Sequence, residues 1–122
     1  MPLERFEDIK AWKLARKLTQ TVYNYTSQAG FSQDFGLKDQ IRRASISVMA
    51  NIAEGFDSQS NQEFNKFLGY SLRSTTEIQS HIYVSLDQDY ISEDQFQDLY
   101  NQTVESKKLI MGFMRYLRNQ HS

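Results

Sequence analysis

The fold of this chain is decided by the stretch Leu37-Lys-Asp-Gln-Ile-Arg-Arg-Ala-Ser-Ile-Ser-Val-Met-Ala-Asn-Ile-Ala-Glu-Gly55. Its apolar residues recur at spacings of three and four, the pattern of one helix face: Ile41, Ala44, Val48 and Ile52. A polar stripe with similar spacing runs beside them: Arg43, Ser47, Asn51 and Glu54. Polar side chains beside a buried stripe need hydrogen-bond partners. The stretch therefore predicts a helix with a polar network along one edge of its core face.

The composition limits the class of protein. A chain of 122 residues is most simply one domain, 1–122, with a core of its own. It has no cysteine, which excludes disulfides, thiolate nucleophiles and cysteine metal sites. A net charge of −1 argues against attraction of the whole molecule to nucleic acid. The charged start and the short apolar runs predict neither a signal peptide nor a membrane span, which fits a cytoplasmic protein.

The periodicity along the chain predicts four helices and no strands. We expect them at about 6–28, 35–55, 61–87 and 93–118, with a loop over 29–35 and fraying from Asn119. The one proline, Pro2, precedes all of them. Short connections favour antiparallel neighbours, so the predicted fold is an all-α, up-down-up-down four-helix bundle.

Local signals mark the helix ends. Asp34 is a candidate N-cap of the second helix, and the patterns that start at Ser60 and Ser92 match capping boxes. Gly30 and Gly55 stand where helices commonly end in a left-handed residue. A further glycine, Gly69, lies inside the third helix, where close approach of a neighbouring helix would offset its cost.

Several helices carry a second apolar face besides the core stripe. Such faces on a small domain usually mark contact surfaces, and they predict a homo-oligomer. The candidate interface residues are Ile9, Trp12, Tyr23, Phe67, Tyr70 and Met111. The alternative is a wide core stripe whose aromatic side chains reach from the core to solvent.

The motifs of common enzymes and metal sites are missing from the sequence. A di-iron bundle needs two Glu-x-x-His pairs, whereas this chain has only Glu77 and His81, four apart, and His121 near its end. There is no glycine-rich phosphate loop and no nucleophile elbow. Glu54 and Glu77 could meet across two helices, where accepting hydrogen bonds from arginines is the favoured role. We therefore expect no enzyme, metal or cofactor.

Charge is unevenly placed along the chain. In an up-down bundle the end of the fourth helix meets the start of the first, near Trp12 and Tyr116, while the acidic segment 87–98 lies at the opposite end. This predicts a nucleic-acid-binding patch formed by Arg5, Lys10, Lys13, Arg16, Lys17, Arg115 and Arg118. The alternative is a set of ordinary solvated faces matched to helix dipoles.

The chain also resembles a known family. The matching pieces are Phe6-Glu-Asp-Ile9 with Trp12, then Phe35-Gly-Leu-Lys-Asp-Gln-Ile-Arg-Arg-Ala-Ser-Ile-Ser47, then Asn51-Ile-Ala-Glu-Gly55. They continue through Glu63-Phe64, Phe67-Leu68, Ser71-Leu72, Ser74 and Glu77, and end near Tyr90-Ile91. On these residues the sequence is similar to the bacterial four-helix-bundle proteins of 23S ribosomal RNA intervening sequences, also labelled ribosomal protein S23-like.

The resemblance implies an antiparallel bundle that assembles as a homopentamer, with a link to RNA that rests mostly on genomic location and no established enzymatic activity. The related accessory proteins of diversity-generating retroelements form similar pentamers and bind a reverse transcriptase and RNA; they are generally more basic than this chain. Five positions match polar positions of the family: Arg42, Arg43, Asn51, Glu54 and Glu77. We expect them, with Ser47, to form a network that fixes the second helix against the third or against a neighbouring subunit.

The sequence therefore predicts a non-enzymatic, homo-oligomeric helical scaffold, pentameric by resemblance. It leaves open whether the basic end binds RNA or a nucleoprotein, or whether the protein is instead an interaction adaptor, for example for a reverse transcriptase, without affinity for RNA. An enzyme built on Glu54 and Glu77 is the third and least favoured reading.

Overall fold

A computed structural model describes residues 3–120 and shows four helices: α1 (Lys10–Thr26), α2 (Phe35–Phe56), α3 (Asn61–Asp87) and α4 (Glu93–Arg118). Two short 3-10 turns, Phe6–Asp8 and Phe31–Gln33, precede α1 and α2. No strand occurs within residues 3–120. The predicted all-α bundle is confirmed. Pro2 and His121 lie outside the described residues.

Contacts between the helices establish the antiparallel order. The Thr19 hydroxyl on α1 donates to the Ser45 carbonyl on α2, while Arg42, earlier on α2, reaches Thr26, later on α1. The α2–α3 and α3–α4 pairs are also antiparallel. A hydrogen bond from Gln102 on α4 to Thr21 on α1 closes the bundle. Each helix therefore packs against two neighbours in an up-down-up-down bundle.

Side-chain caps set the starts of three helices. The Asp34 carboxylate accepts from the Leu37 amide at 3.1 Å, as predicted for α2. Ser92 and Gln95 form a complete capping box at the start of α4, with both reciprocal hydrogen bonds. Ser60 accepts from the Glu63 amide, but the return bond of a capping box is not among those found in α3. Because these caps are local, they place the starts of α3 and α4 where the sequence predicts them.

The first helix is shorter than predicted at both ends. Ile9 has an extended backbone (φ −77°, ψ 123°) and separates the Phe6–Asp8 turn from α1. This break folds Phe6 back onto Trp12, with ring centroids 5.2 Å apart. At the other end α1 stops at Thr26, and Gly30, with φ of 88°, begins the second 3-10 turn rather than ending the helix. That turn buries Phe31 beneath Tyr90, a core contact in the predicted loop.

The core contains aliphatic stripes from all four helices and a set of buried hydroxyl groups. On α1, a helical period of three and four residues gives the stripe Ala11, Ala15, Leu18, Val22 and Tyr25; the first four are at most 2% exposed, and Tyr25 is half-buried. Most buried hydroxyls donate to nearby carbonyls, whereas the Ser106 hydroxyl has no partner among the described residues. Ser71 on α3, for example, donates to the Val48 carbonyl on α2 at 2.9 Å. A side chain as small as serine lets the two backbones come this close.

Gly55 allows the other close approach of α2 and α3. The prediction that it ends α2 is wrong, because the helix continues through Phe56. A Cβ atom on Gly55 would lie 2.6 Å from Phe64 Cδ1 and 3.0 Å from Phe67 Cβ, so a larger residue does not fit. At Gly69 a Cβ atom would meet nothing within 4 Å, so close helix packing does not explain that glycine.

Two tyrosine–carboxylate hydrogen bonds tie the acidic end of the bundle together. The Tyr25 hydroxyl donates to Asp98 at 2.7 Å, joining α1 to α4. Burial and this hydrogen bond raise the pKa of Tyr25 to about 12. The Tyr90 hydroxyl donates to Asp34, the α2 cap, at 3.0 Å, and that bond raises the pKa of Tyr90.

Gly55→Ala should destabilise the bundle by about 1–3 kcal/mol, because the added methyl overpacks the contact with Phe64. Gly69→Ala is the matched control and should stabilise it by about 1 kcal/mol, since helix propensity improves and nothing clashes. Urea unfolding at one fixed protein concentration measures both. Equal effects of the two substitutions would contradict the close-approach role of Gly55.

Alkaline unfolding should report on Tyr25. Since its folded-state pKa lies above the ordinary value of 10.0, its hydrogen bond stabilises the fold below pH 10, and this stabilisation is lost as the pH rises toward the folded-state pKa. The Tyr25→Phe variant should therefore lose stability less steeply than the wild type as the pH is raised above 10. If the free energy of unfolding fell equally steeply with pH in both proteins, the folded state would not hold the hydroxyl proton of Tyr25 above pH 10.

Candidate functional surface

The outward face of α2 carries no charge over three turns. Between Ala44 and Ala53 the sequence has no Asp, Glu, Lys or Arg. The part of this run that faces away from the core consists of Ile46, which is 45% exposed, with Ala50 exposed and Ala53 half-buried. A helix that is apolar on all sides is normally covered on all sides. We call Ile46, Ala50 and Ala53 the α2 face.

The α2 face forms one wall of an apolar recess that opens on the side of α1. It has a volume of about 280 Å³, and its lining consists of Phe6, Trp12, Ile46, Met49, Ala50 and Ala53. The edge-to-face contact between Phe6 and Trp12 holds one wall, and the Arg16 guanidinium lies 5.9 Å from the centre of the Trp12 ring. The recess exists because the Phe6–Asp8 turn folds Phe6 back toward α2.

Aromatic side chains project on the other side of α2. Phe67 and Tyr70 of α3 pack edge to face, with centroids 5.9 Å apart, and the Arg73 guanidinium lies 5.7 Å from the centre of the Tyr70 ring. Tyr70 is among the exposed large side chains. The two flanks of the α2 face therefore differ, one forming a recess and the other an aromatic ridge.

The predicted polar network is present only in part. Asn51 donates to both the Ser47 carbonyl and hydroxyl, at 2.9 and 3.0 Å, and the Ser74 hydroxyl donates to the Ser47 hydroxyl at 2.9 Å. This chain of bonds does join α2 to α3. Arg42, however, turns toward α1, where it donates to Thr26 at 2.8 Å and covers the Tyr23 ring at 4.3 Å.

The charged members of the predicted network lie outside it. Arg43 pairs with Asp39 on its own helix at 2.8 Å, with both side chains mostly exposed. Glu77 contacts His81, also on its own helix, at 3.4 Å. Glu54 is exposed, and its carboxylate forms no hydrogen bond or ion pair within residues 3–120. Glu54 and Glu77 lie too far apart along the antiparallel α2–α3 pair to meet. Glu54 is next to Gly55, which faces Phe64, whereas Glu77 lies one turn beyond Ser74, which faces Ser47.

Most predicted interface residues lie at the surface, but one does not. Ile9 is 1% exposed and belongs to the subunit's own core, because the extended backbone before α1 directs it inward. Its assignment to an interface is wrong. Trp12, Tyr23 and Phe67 are half-buried, while Tyr70 and Met111 are exposed, Met111 on α4. Phe6, Met49, Ala50 and Ala53 were not among the predicted interface residues, although the absence of charge from Ala44 to Ala53 could have indicated the last three.

The seven predicted basic residues are all exposed, and their immediate surroundings differ. Lys10, Lys13 and Lys17 follow one another at spacings of three and four on the outer face of α1, and none of them is in an ion pair within residues 3–120. Arg5 contacts Glu7 and Asp8 at 4.0 Å each. Arg118 lies with Asn61 of α3, away from α1.

The two aromatic residues expected beside these cations lie in different places, each near one of them: the Arg16 guanidinium is 5.9 Å from the centre of the Trp12 ring, and Tyr116 lines the same groove as Lys10. Trp12 faces α2, whereas Tyr116 lines a groove between α1 and α4. The acidic segment does lie at the opposite end of the bundle, where Gln95 at the start of α4 contacts Gln28 after α1. The structure shows a lysine stripe on α1, defined by Lys10, Lys13 and Lys17, with Arg118 on the side of α3.

Residues 3–120 contain no group of three His, Asp or Glu side chains arranged to hold a metal ion. None of their helices is long and apolar enough to cross a membrane.

Comparison with known proteins identifies a similar solved structure and the family of this chain. The crystal structure of a protein with unknown function from the S23 ribosomal protein family of Bacteroides thetaiotaomicron is similar, with a TM-score of 0.79 and 23% sequence identity over 86% of this chain and 95% of that one. At this identity the likeness establishes the fold alone. No curated protein matches the chain significantly. The model of the 23S rRNA-intervening sequence protein family matches residues 7–112. Because that match spans most of the sequence, the chain belongs to the 23S rRNA-intervening sequence protein family.

Proposed function

We propose that this protein is a non-enzymatic scaffold that assembles with copies of itself through the α2 face. The observation that carries the proposal is the uncharged run from Ala44 to Ala53, whose outward residues are Ile46, Ala50 and Ala53. A solvated helix face ordinarily carries charged residues. An apolar patch bordered by polar residues is typical of a protein–protein contact.

The unlike flanks of the α2 face support a cyclic arrangement. The recess beside Trp12 and the ridge formed by Phe67 and Tyr70 lie on opposite sides of the same helix. If the ridge of one copy enters the recess of the next, the contact joins two different surfaces. Such head-to-tail contacts generate a closed ring when the rotation between copies permits. The number five comes from the family resemblance, and the geometry supports a ring without fixing its size.

Ala50→Glu should dissociate the assembly, because it would bury a carboxylate without a partner in each interface. Asn101→Glu, on the exposed side of α4, makes the same change of charge away from α2 and serves as the control. We expect light scattering after gel filtration to give a multiple of 14.3 kDa for the wild type and the control, and a smaller mass for Ala50→Glu with unchanged helicity.

A monomeric wild type would refute the proposal. Equal masses for Ala50→Glu and Asn101→Glu would show that the copies meet through another surface.

RNA binding is a second candidate function, supported by the lysine stripe on α1. Lys10, Lys13 and Lys17 are exposed on one helix face, and no acidic side chain lies within 4.0 Å of their ammonium groups in the described residues. Phosphate contacts need cations that are available in this way. An assembly would repeat the stripe once per subunit, which would strengthen binding to an extended RNA.

Lys13→Glu should weaken binding of a structured RNA hairpin and lower the slope of log affinity against log salt by about one. Lys66→Glu, on α3, is the control with the same change of charge. Fluorescence anisotropy across a salt series measures both variants. Absence of binding at low salt would exclude this role, and a protein partner retained at high salt would then favour the adaptor alternative.

A further inference from the structure

A second apolar depression lies between the start of α1 and the end of α4. Its volume is about 680 Å³, within the range of about 300–1,000 Å³ usual for small-molecule sites. Its lining is mostly apolar or aromatic and consists of Leu3, Ile9, Ala11, Leu109, Gly112, Phe113 and Tyr116, with Asp8, Lys10 and Lys108. We call it the α1–α4 groove. It shares no residue with the recess beside the α2 face.

Gly112 keeps the groove open. It lies inside α4 and has an ordinary helical backbone. Alanine at this position would stabilise the helix by about 1 kcal/mol relative to glycine. A Cβ atom there would approach only the Arg115 Nη2 atom, at 3.9 Å, so packing does not exclude a side chain. The space above this glycine is left unfilled by the subunit itself.

The charges on the groove favour an anion. Lys10 from α1 and Lys108 from α4 contribute cations from both walls. The one acidic side chain in the lining, Asp8, is outnumbered by the two lysines, so the lining keeps a net positive charge. Neither lysine is in an ion pair with another described residue. An apolar bed with cations at its walls matches a molecule with an apolar body and one acidic group.

We propose that the α1–α4 groove binds a small amphiphilic anion, an alkyl carboxylate, with its chain on the accessible lining residues Leu3, Leu109 and Phe113 and its carboxylate near Lys10 and Lys108. A nucleotide fits this lining less well, because the aliphatic residues leave few groups to hydrogen-bond the edges of a base. The inference does not depend on self-assembly, since its residues come from α1 and α4 and the α2 face is not involved.

The test uses the fluorescent probe anilinonaphthalene sulfonate, which is an aryl anion, on the full-length folded protein. We expect the wild type to enhance its fluorescence, decanoate to displace it, and decanol, which has the same chain length without charge, to displace it several-fold less well. Gly112→Leu should abolish the enhancement by filling the groove. Gly69→Leu, at a helical glycine with open space around it, is the matched control and should bind like the wild type.

Lys108→Gln should weaken decanoate several-fold and leave decanol unchanged. Circular dichroism and light scattering on each variant confirm its helicity and mass, so that loss of the groove is distinguished from loss of fold or assembly. The proposal is overturned by absence of enhancement with the wild type, by equal enhancement with Gly112→Leu, or by equal displacement by decanoate and decanol.

Discussion

The structure depends on a helix, α2, that carries no charged residue on any side between Ala44 and Ala53. α2 packs its inner stripe into the core, contacts α1 and α3 on its two flanks, and still presents Ile46 and Ala50 outward. Burial of apolar surface is the dominant favourable term in folding and association. One isolated bundle covers α2 on three sides only. The remaining side links the fold of the subunit to its proposed assembly.

Small residues determine how closely the neighbours approach this helix. Gly55 admits the Phe64 ring, and Ser71 donates to an α2 carbonyl across the gap between helices. Ser47 holds Ser74 and Asn51 in one hydrogen-bonded chain at the same interface. These contacts fix α3 against α2 with neutral groups. The charged residues beside them, Arg43 and Glu77, form bonds within their own helices, which keeps them exposed to solvent.

Much of the fold follows from the sequence because its signals are local. Ser60 and Ser92 cap their own helices, so α3 and α4 occupy the predicted ranges. The start of α1 was not predicted, because the extended backbone at Ile9 has no proline or glycine to mark it.

The candidate site was harder to predict, since it depends on how the helices are rotated about their axes. The helix periods place Trp12, Phe67 and Tyr70 outside the core stripes, but they show neither that these residues flank α2 nor that Ile9 turns inward. The surroundings of the basic residues depend on the same rotation: Arg118 lies beside α3 while the lysines lie on α1. Spacing along one helix cannot determine which neighbour a long side chain reaches.

The most direct test of the account asks whether the α2 face is covered in solution. The chain has no cysteine, so Ala50→Cys and Asn101→Cys each introduce a single reactive thiol. At concentrations where the protein is assembled, we predict that a thiol reagent labels the Asn101→Cys variant rapidly and the Ala50→Cys variant slowly. Dilution that dissociates the assembly should make the two labelling rates equal. Equal labelling rates at all concentrations would show that the α2 face is open to solvent and would contradict the account.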